Sequence, residues 1–116
     1  MAIARACYGL TRLFPREEIY GLTAQIRRAA VSIAANIAEG HGRENTGSFI
    51  QFLRIAQGSL KELETHLLLA EQVQVAKPAQ SEPILAQCES LGKMLRALIR
   101  SLQSKTTNAS DRSADD

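Results

Sequence analysis

Two adjacent arginines, Arg27 and Arg28, interrupt the otherwise apolar run LTAQIRRAAVSIAANIAEGHGR. A guanidinium is planar and permanently charged, which suits it to carboxylates and phosphates. Neighbouring helical residues point about 100° apart, so this pair cannot grip one group together. Arg27 falls among alanines, where an ion pair with Glu39 or Glu62 of a neighbouring copy is the expected use. The functional alternative is a ring of positive charge, built by symmetry from copies of Arg27 or Arg28 and able to attract phosphate. The turn Gly40–Gly47 places glycines before a helix start, as phosphate-binding loops do. It lacks both the Gly-Lys-Ser/Thr ending and a preceding strand, and reads as a helix connection from which His41 and Arg43 project. If nucleic acid binds, Arg28, Arg43 and Arg54 are the expected phosphate contacts. No aromatic platform for stacked bases is apparent, because Tyr8, Tyr20 and the phenylalanines read as core or loop anchors.

Other chemistries find fewer parts. A di-iron bundle needs two Glu-x-x-His motifs, whereas Glu62 and His66 are four apart with no second copy. Their spacing suits a contact along one helix face. A Ser-His-Asp triad has no candidate acid, since every aspartate lies beyond Ser104. Cys7 and Cys88 fall on apolar helical faces without metal-ligand or redox spacing, and read as buried free thiols. No metal, cofactor or catalytic activity is expected.

These side chains need helices to carry them. Ala, Leu and Ile dominate the apolar residues, aromatics are only 4%, and the prolines are Pro15, Pro78 and Pro83, which leaves a long middle suited to helix. A chain of 116 residues makes one domain. Twelve basic and nine acidic residues precede Lys105, and ten of the chain's fourteen basic residues are Arg; the modest excess favours phosphate or carboxylate contacts only weakly. No signal peptide is visible, and no apolar run approaches the ~18 residues of a membrane span. A cytoplasmic protein is expected.

The periodicity predicts helices over about 2–14, 17–40, 46–74 and 80–104, forming one bundle over 1–104, with 105–116 a disordered polar tail. In the first, Ile3, Cys7, Leu10 and Phe14 share a face. The second has a main apolar face of Ile19, Leu22, Ile26, Ala29, Ala30, Ile33 and Ile37, and a second face of Ala24, Arg27, Val31, Ala34, Ala35 and Ala38. Gln25, Arg28, Ser32, Asn36 and Glu39 are left for water. A helix apolar on two sides serves a core and a neighbour at once, so Ala24, Arg27, Val31, Ala35 and Ala38 are the expected oligomer interface. Gly40 and Gly42 are expected to supply positive φ at the helix end, and Asn45 or Ser48 to open the third helix. The third helix has a stripe of Phe49, Phe52 or Leu53, Ala56, Leu60, Leu63, Leu67 and Ala70. Off it lie Ile50, Ile55, Leu68, Leu69 and Val73, more apolar surface than a monomer needs. Ala76–Pro83 reads as a loop. In the last helix Ile84, Cys88, Leu91, Leu95, Leu98 and Leu102 follow coiled-coil spacing.

The runs PREEIYGLTAQIRRAAVSIAANIAEGHGR and FIQFLRIAQGSLKELET closely resemble the 23S rRNA intervening-sequence protein family. Its pattern, with Q-[IL]-R-R-A-A-x-S-I-x-x-N-I-A-E-G followed by F-L-x-I-A-x-G-S-L-x-E, is met from Leu22 to Thr65. The resemblance implies an all-α, antiparallel up-and-down four-helix bundle assembled as a ring-shaped homopentamer. Some members are encoded within ribosomal RNA intervening sequences. A related group, the accessory variability determinant of diversity-generating retroelements, is a basic pentamer that binds nucleic acid and a reverse transcriptase. The implied partners are further copies of the chain, and RNA or an RNA-associated protein. One departure is that the family's first helix is longer and bears a Trp, so a shortened first helix or a misassigned start codon is expected here.

Overall fold

The computed structural model describes the backbone of residues 1–115 and the side chains of residues 1–105. Four helices, α1 (Ala2–Thr11), α2 (Leu22–His41), α3 (Thr46–Gln72) and α4 (Pro78–Asp115), follow one another without a strand among the described residues. Apart from Lys105, the polar tail expected over 105–116 falls on side chains outside that described set. Each helix packs on its predecessor and α1 also packs on α4, while α1 and α3, like α2 and α4, stand diagonally. The contacts Ser32–Ser59 and Gly40–Phe49 make α2 and α3 antiparallel. Glu71–Ser81 and Leu60–Gly92 do the same for α3 and α4.

The core follows the apolar periods. Ile3, Cys7 and Leu10 of α1 meet Ile26, Ala30 and Ile33 of α2, the stripe Leu53, Ala56, Leu60, Leu63 and Leu67 of α3, and Ile84, Cys88, Leu95 and Ile99 of α4. Ile99 was not on the predicted stripe, and Leu91, Leu98 and Leu102 are only partly buried. A helix repeats every 3.6 residues rather than 3.5, so a strict heptad drifts around its axis over several turns.

Helix ends differ from expectation for identifiable reasons. The α-helical part of α1 stops at Thr11, and Leu13 and Phe14 continue with bonds to residues three back, at 3.0 and 3.1 Å. Pro15 disfavours α geometry in the residue before it. A 3-10 turn, Arg16–Glu18, leads to Gly21 as the N-cap of α2. Neither Gly40 nor Gly42 has positive φ, contrary to the sequence expectation. At Gly40 the requirement is space, because a Cβ there would lie 2.9 Å from Phe49 Cδ2 and 3.2 Å from Phe52 Cβ. Asn45 rather than Ser48 caps α3, its side chain accepting the Ser48 N–H at 2.7 Å.

The predicted loop Ala76–Pro83 is mostly helical. Pro78 occupies the first position of α4, where its missing N–H costs nothing. The Lys77 N–H is accepted by Gln80 Oε1 at 3.0 Å, half of a capping box. Before it, α3 ends in a Schellman motif: Val75 N–H bonds Ala70 O at 2.9 Å and Gln74 N–H bonds Glu71 O at 3.0 Å. Gln74 takes φ of 63°, in the left-handed region, where a side chain is penalised. Replacing Gln74 by Gly should raise stability by about 0.5–1 kcal/mol, read as a higher urea midpoint with unchanged slope.

Candidate functional site

The family-motif residues of α2 and α3 build a polar seam inside the bundle wall. Ser32 Oγ and Ser59 Oγ lie 2.7 Å apart across the two helices, and Asn36 Nδ2 donates to Ser32 O at 2.8 Å and Ser32 Oγ at 3.1 Å. Ser59 is buried, and Ser32 and Asn36 are half-buried, so the strip assigned to water is partly an interhelical contact. Bonded in this way, the polar groups offset their own desolvation and hold α2 and α3 in one register.

Arg27 is turned toward α1. Its Nε donates to Thr11 Oγ1 at 2.8 Å and its guanidinium carbon lies 4.6 Å from the Tyr8 ring centroid. Thr11 donates in turn to Cys7 O at 2.8 Å. The arginine thus has partners within its own chain, besides belonging to the small-residue face on which Ala24 is half-buried and Val31, Ala35 and Ala38 are exposed.

The three arginines expected to meet phosphate lie in different surroundings. Arg28 is exposed on α2 and bonds only Gln25 Oε1, at 3.2 Å. Arg43, just past α2, pairs with Glu39 at 3.2 Å and stacks 4.8 Å from the Phe52 centroid. Arg54 is exposed on α3. The twelve residues from Arg28 to Gly40 amount to about 18 Å of helix, so Arg28 stands well away from the turn that carries Arg43. Beside Arg43, His41 packs against Phe49 with centroids 4.9 Å apart. The turn is therefore an aromatic–cation cluster rather than a bare loop, a grouping that only the fold brings together.

Glu62 and His66 make no bond with each other, contrary to the expected contact, and among the described residues no group of three His, Cys, Asp or Glu could hold a metal. A groove of about 700 Å3 between α3 and α4 has Lys61, Glu64 and Arg96 at its edges and the buried Cys88 against its floor. Burial pushes the Cys7 thiol up to about 11 and that of Cys88 up to about 12, the latter helped by Cys7 and Glu64. A protonated thiol is a poor nucleophile. No described helix is long and apolar enough to cross a membrane.

The sequence model of the family described as 23S rRNA-intervening sequence protein matches residues 1–97. The chain belongs to this family. A solved structure with the same overall fold is a protein of unknown function from the S23 ribosomal protein family of Bacteroides thetaiotaomicron. It aligns with TM-score 0.72 and 26% identity over 84% of this chain and 88% of that one. No curated protein matches the chain.

The thiols make a pH prediction. Unfolded, they ionise near 9.0, and folding raises both values, so the stabilisation is complete below that pH and is lost as pH rises through about 11 for Cys7 and about 12 for Cys88. The urea midpoint should fall across this window in the native protein, and fall less in a Cys7→Ala/Cys88→Ala variant.

Proposed function

We propose that the chain is a non-enzymatic, cytoplasmic accessory protein that works as a homo-oligomer and binds RNA, or a protein–RNA complex, through arginine-lined surfaces. The observation that carries the assembly reading is apolar surface left open on the single chain. Val31 is 47% exposed on α2, and Ile55, Leu68, Leu69 and Val73 are 46%, 47%, 41% and 52% exposed on α3. So many large apolar side chains left open on two adjacent helices suit a contact face. Beside Val31, Ala35 and Ala38 would let a neighbouring backbone approach closely. The family resemblance suggests five copies.

The RNA reading is supported by the arginine excess, by the exposed Arg28 and Arg54, and by the family's connection with ribosomal RNA intervening sequences. Repeating a small positive charge around an oligomer would multiply its pull on phosphate. A scaffold that binds only proteins is the second reading. The separation of Arg28 from Arg43 and the pairing of Arg43 with Glu39 favour it.

Two measurements separate these ideas. Ala35→Glu should convert the oligomer to a helical monomer, seen by light scattering and circular dichroism; an unchanged oligomer mass would refute the assigned contact face. In fluorescence anisotropy, a structured RNA should bind with steep salt dependence and weaken on Arg28→Ala/Arg43→Ala/Arg54→Ala substitution. Absence of binding at low salt would remove the RNA reading and leave the scaffold.

A further inference from the structure

The bend between α1 and α2 encloses a second concave site, of about 390 Å3, that includes Thr11, Arg12, Arg16, Thr23 and Arg27 in its lining. Three guanidinium groups line it and no carboxylate does. The neighbouring Glu18 is engaged at the start of α2, where it accepts the Leu22 N–H at 3.4 Å. Arg12 and Arg16 have no ion-pair partner among the described residues. Arg27 is held in place through Nε and the Tyr8 ring, while its terminal nitrogens, each a donor, have no partner among the described residues.

The hydroxyl of Thr23 adds an independent observation. Thr23 is only 6% exposed, yet its Oγ1 has no hydrogen-bond partner. Buried hydroxyls ordinarily find one, because an unmet hydroxyl gives up its hydration without return. Thr23 lies in the first turn of α2, a helix without a side-chain cap from its N-cap residue, where the helix dipole also favours negative charge. Clustered arginines, one of them held in place, and an unmet hydroxyl suit the same kind of partner, an oxyanion with several acceptor oxygens.

We propose that this pocket receives a dianionic phosphate group, either free or at the end of a monoester. Arg12, Arg16 and Arg27 supply the counter-charge, and Thr23, whose hydroxyl is covered, donates a hydrogen bond once its side chain turns toward the anion. Three guanidinium charges balance a dianion better than a singly charged diester. A terminal phosphate also presents three oxygens, against two for a diester, to the donors that line the pocket. Arg28, Arg43 and Arg54 are not in its lining, and the proposal is independent of the RNA reading.

The test is calorimetric titration and thermal unfolding of the full chain with inorganic phosphate, adenosine monophosphate and dimethyl phosphate, at constant ionic strength set with chloride. Inorganic phosphate should bind saturably and raise the melting temperature, and dimethyl phosphate should not. Tighter binding of the nucleotide would identify an ester as the source of the group, and equal binding the free anion. Thr23→Val should melt higher than the native chain without phosphate and bind phosphate about ten-fold more weakly. Arg12→Ala/Arg16→Ala should abolish binding, while Arg28→Ala/Arg43→Ala/Arg54→Ala should leave it intact. The proposal is overturned by the absence of saturable phosphate binding, by equal binding of dimethyl phosphate, or by affinity unchanged in both Thr23→Val and Arg12→Ala/Arg16→Ala.

Discussion

The close approach of α2 and α3 is the constraint on which the rest of the structure depends. At its upper end Gly40 touches Phe49 so nearly that no Cβ fits without a shift. Farther along, two serine hydroxyls bridge the helices at 2.7 Å. Small residues are needed wherever these backbones converge, and bonded polar groups fix a register that apolar packing alone could slip. With that hairpin set, the buried stripe of α3 forms one wall of the core and α1 and α4 close the square. The opposite side of α2 then faces outward with Val31, Ala35 and Ala38 uncovered.

A different device secures α1. Its packing face is short, with Ile3, Cys7, Leu10 and Thr11 the buried residues of the helix, and apolar contact is supplemented by an arginine reaching across from α2. Arg27 joins Thr11 and Tyr8, and Thr11 passes the connection to the α1 backbone. One motif arginine thus works as a strut while its neighbour Arg28 remains in solvent. Their sequence adjacency conceals this division because consecutive helical side chains diverge.

The repeating apolar positions made the four helices and most of the core legible. Ile26, Ile33, Leu53, Leu60, Leu63 and Leu67 were placed by periodicity and are buried. What escaped was polar or steric. Ser32 and Asn36 looked like a wet strip because a hydrogen bond between helices leaves no hydrophobic signature. Gly40 was assigned a torsional role, although its need is clearance from a ring forty-nine residues into the chain. Pro78 looked like a loop marker but also fits a first helical turn. Arg12, Arg16 and Thr23 did not stand out because a bend near Pro15 brings them together. The named arginines on α2 and α3 were readable as exposed charges, but their mutual separation depends on helix register.

The shortness of α1 has a consequence for how the molecule breathes. This ten-residue helix is joined to α2 by a proline bend and a single 3-10 turn, while α2 and α3 are clamped along their lengths. Elements with few buried contacts open at lower free energy than the global transition. Amide protons of α1 are therefore expected to exchange as a separate, earlier cooperative unit, ahead of those in the α2–α3 hairpin. Each such excursion would uncover the core surface that Ile3, Cys7 and Leu10 cover and break the bond between Arg27 and Thr11, making the chain's first helix a hinged cover over the other three.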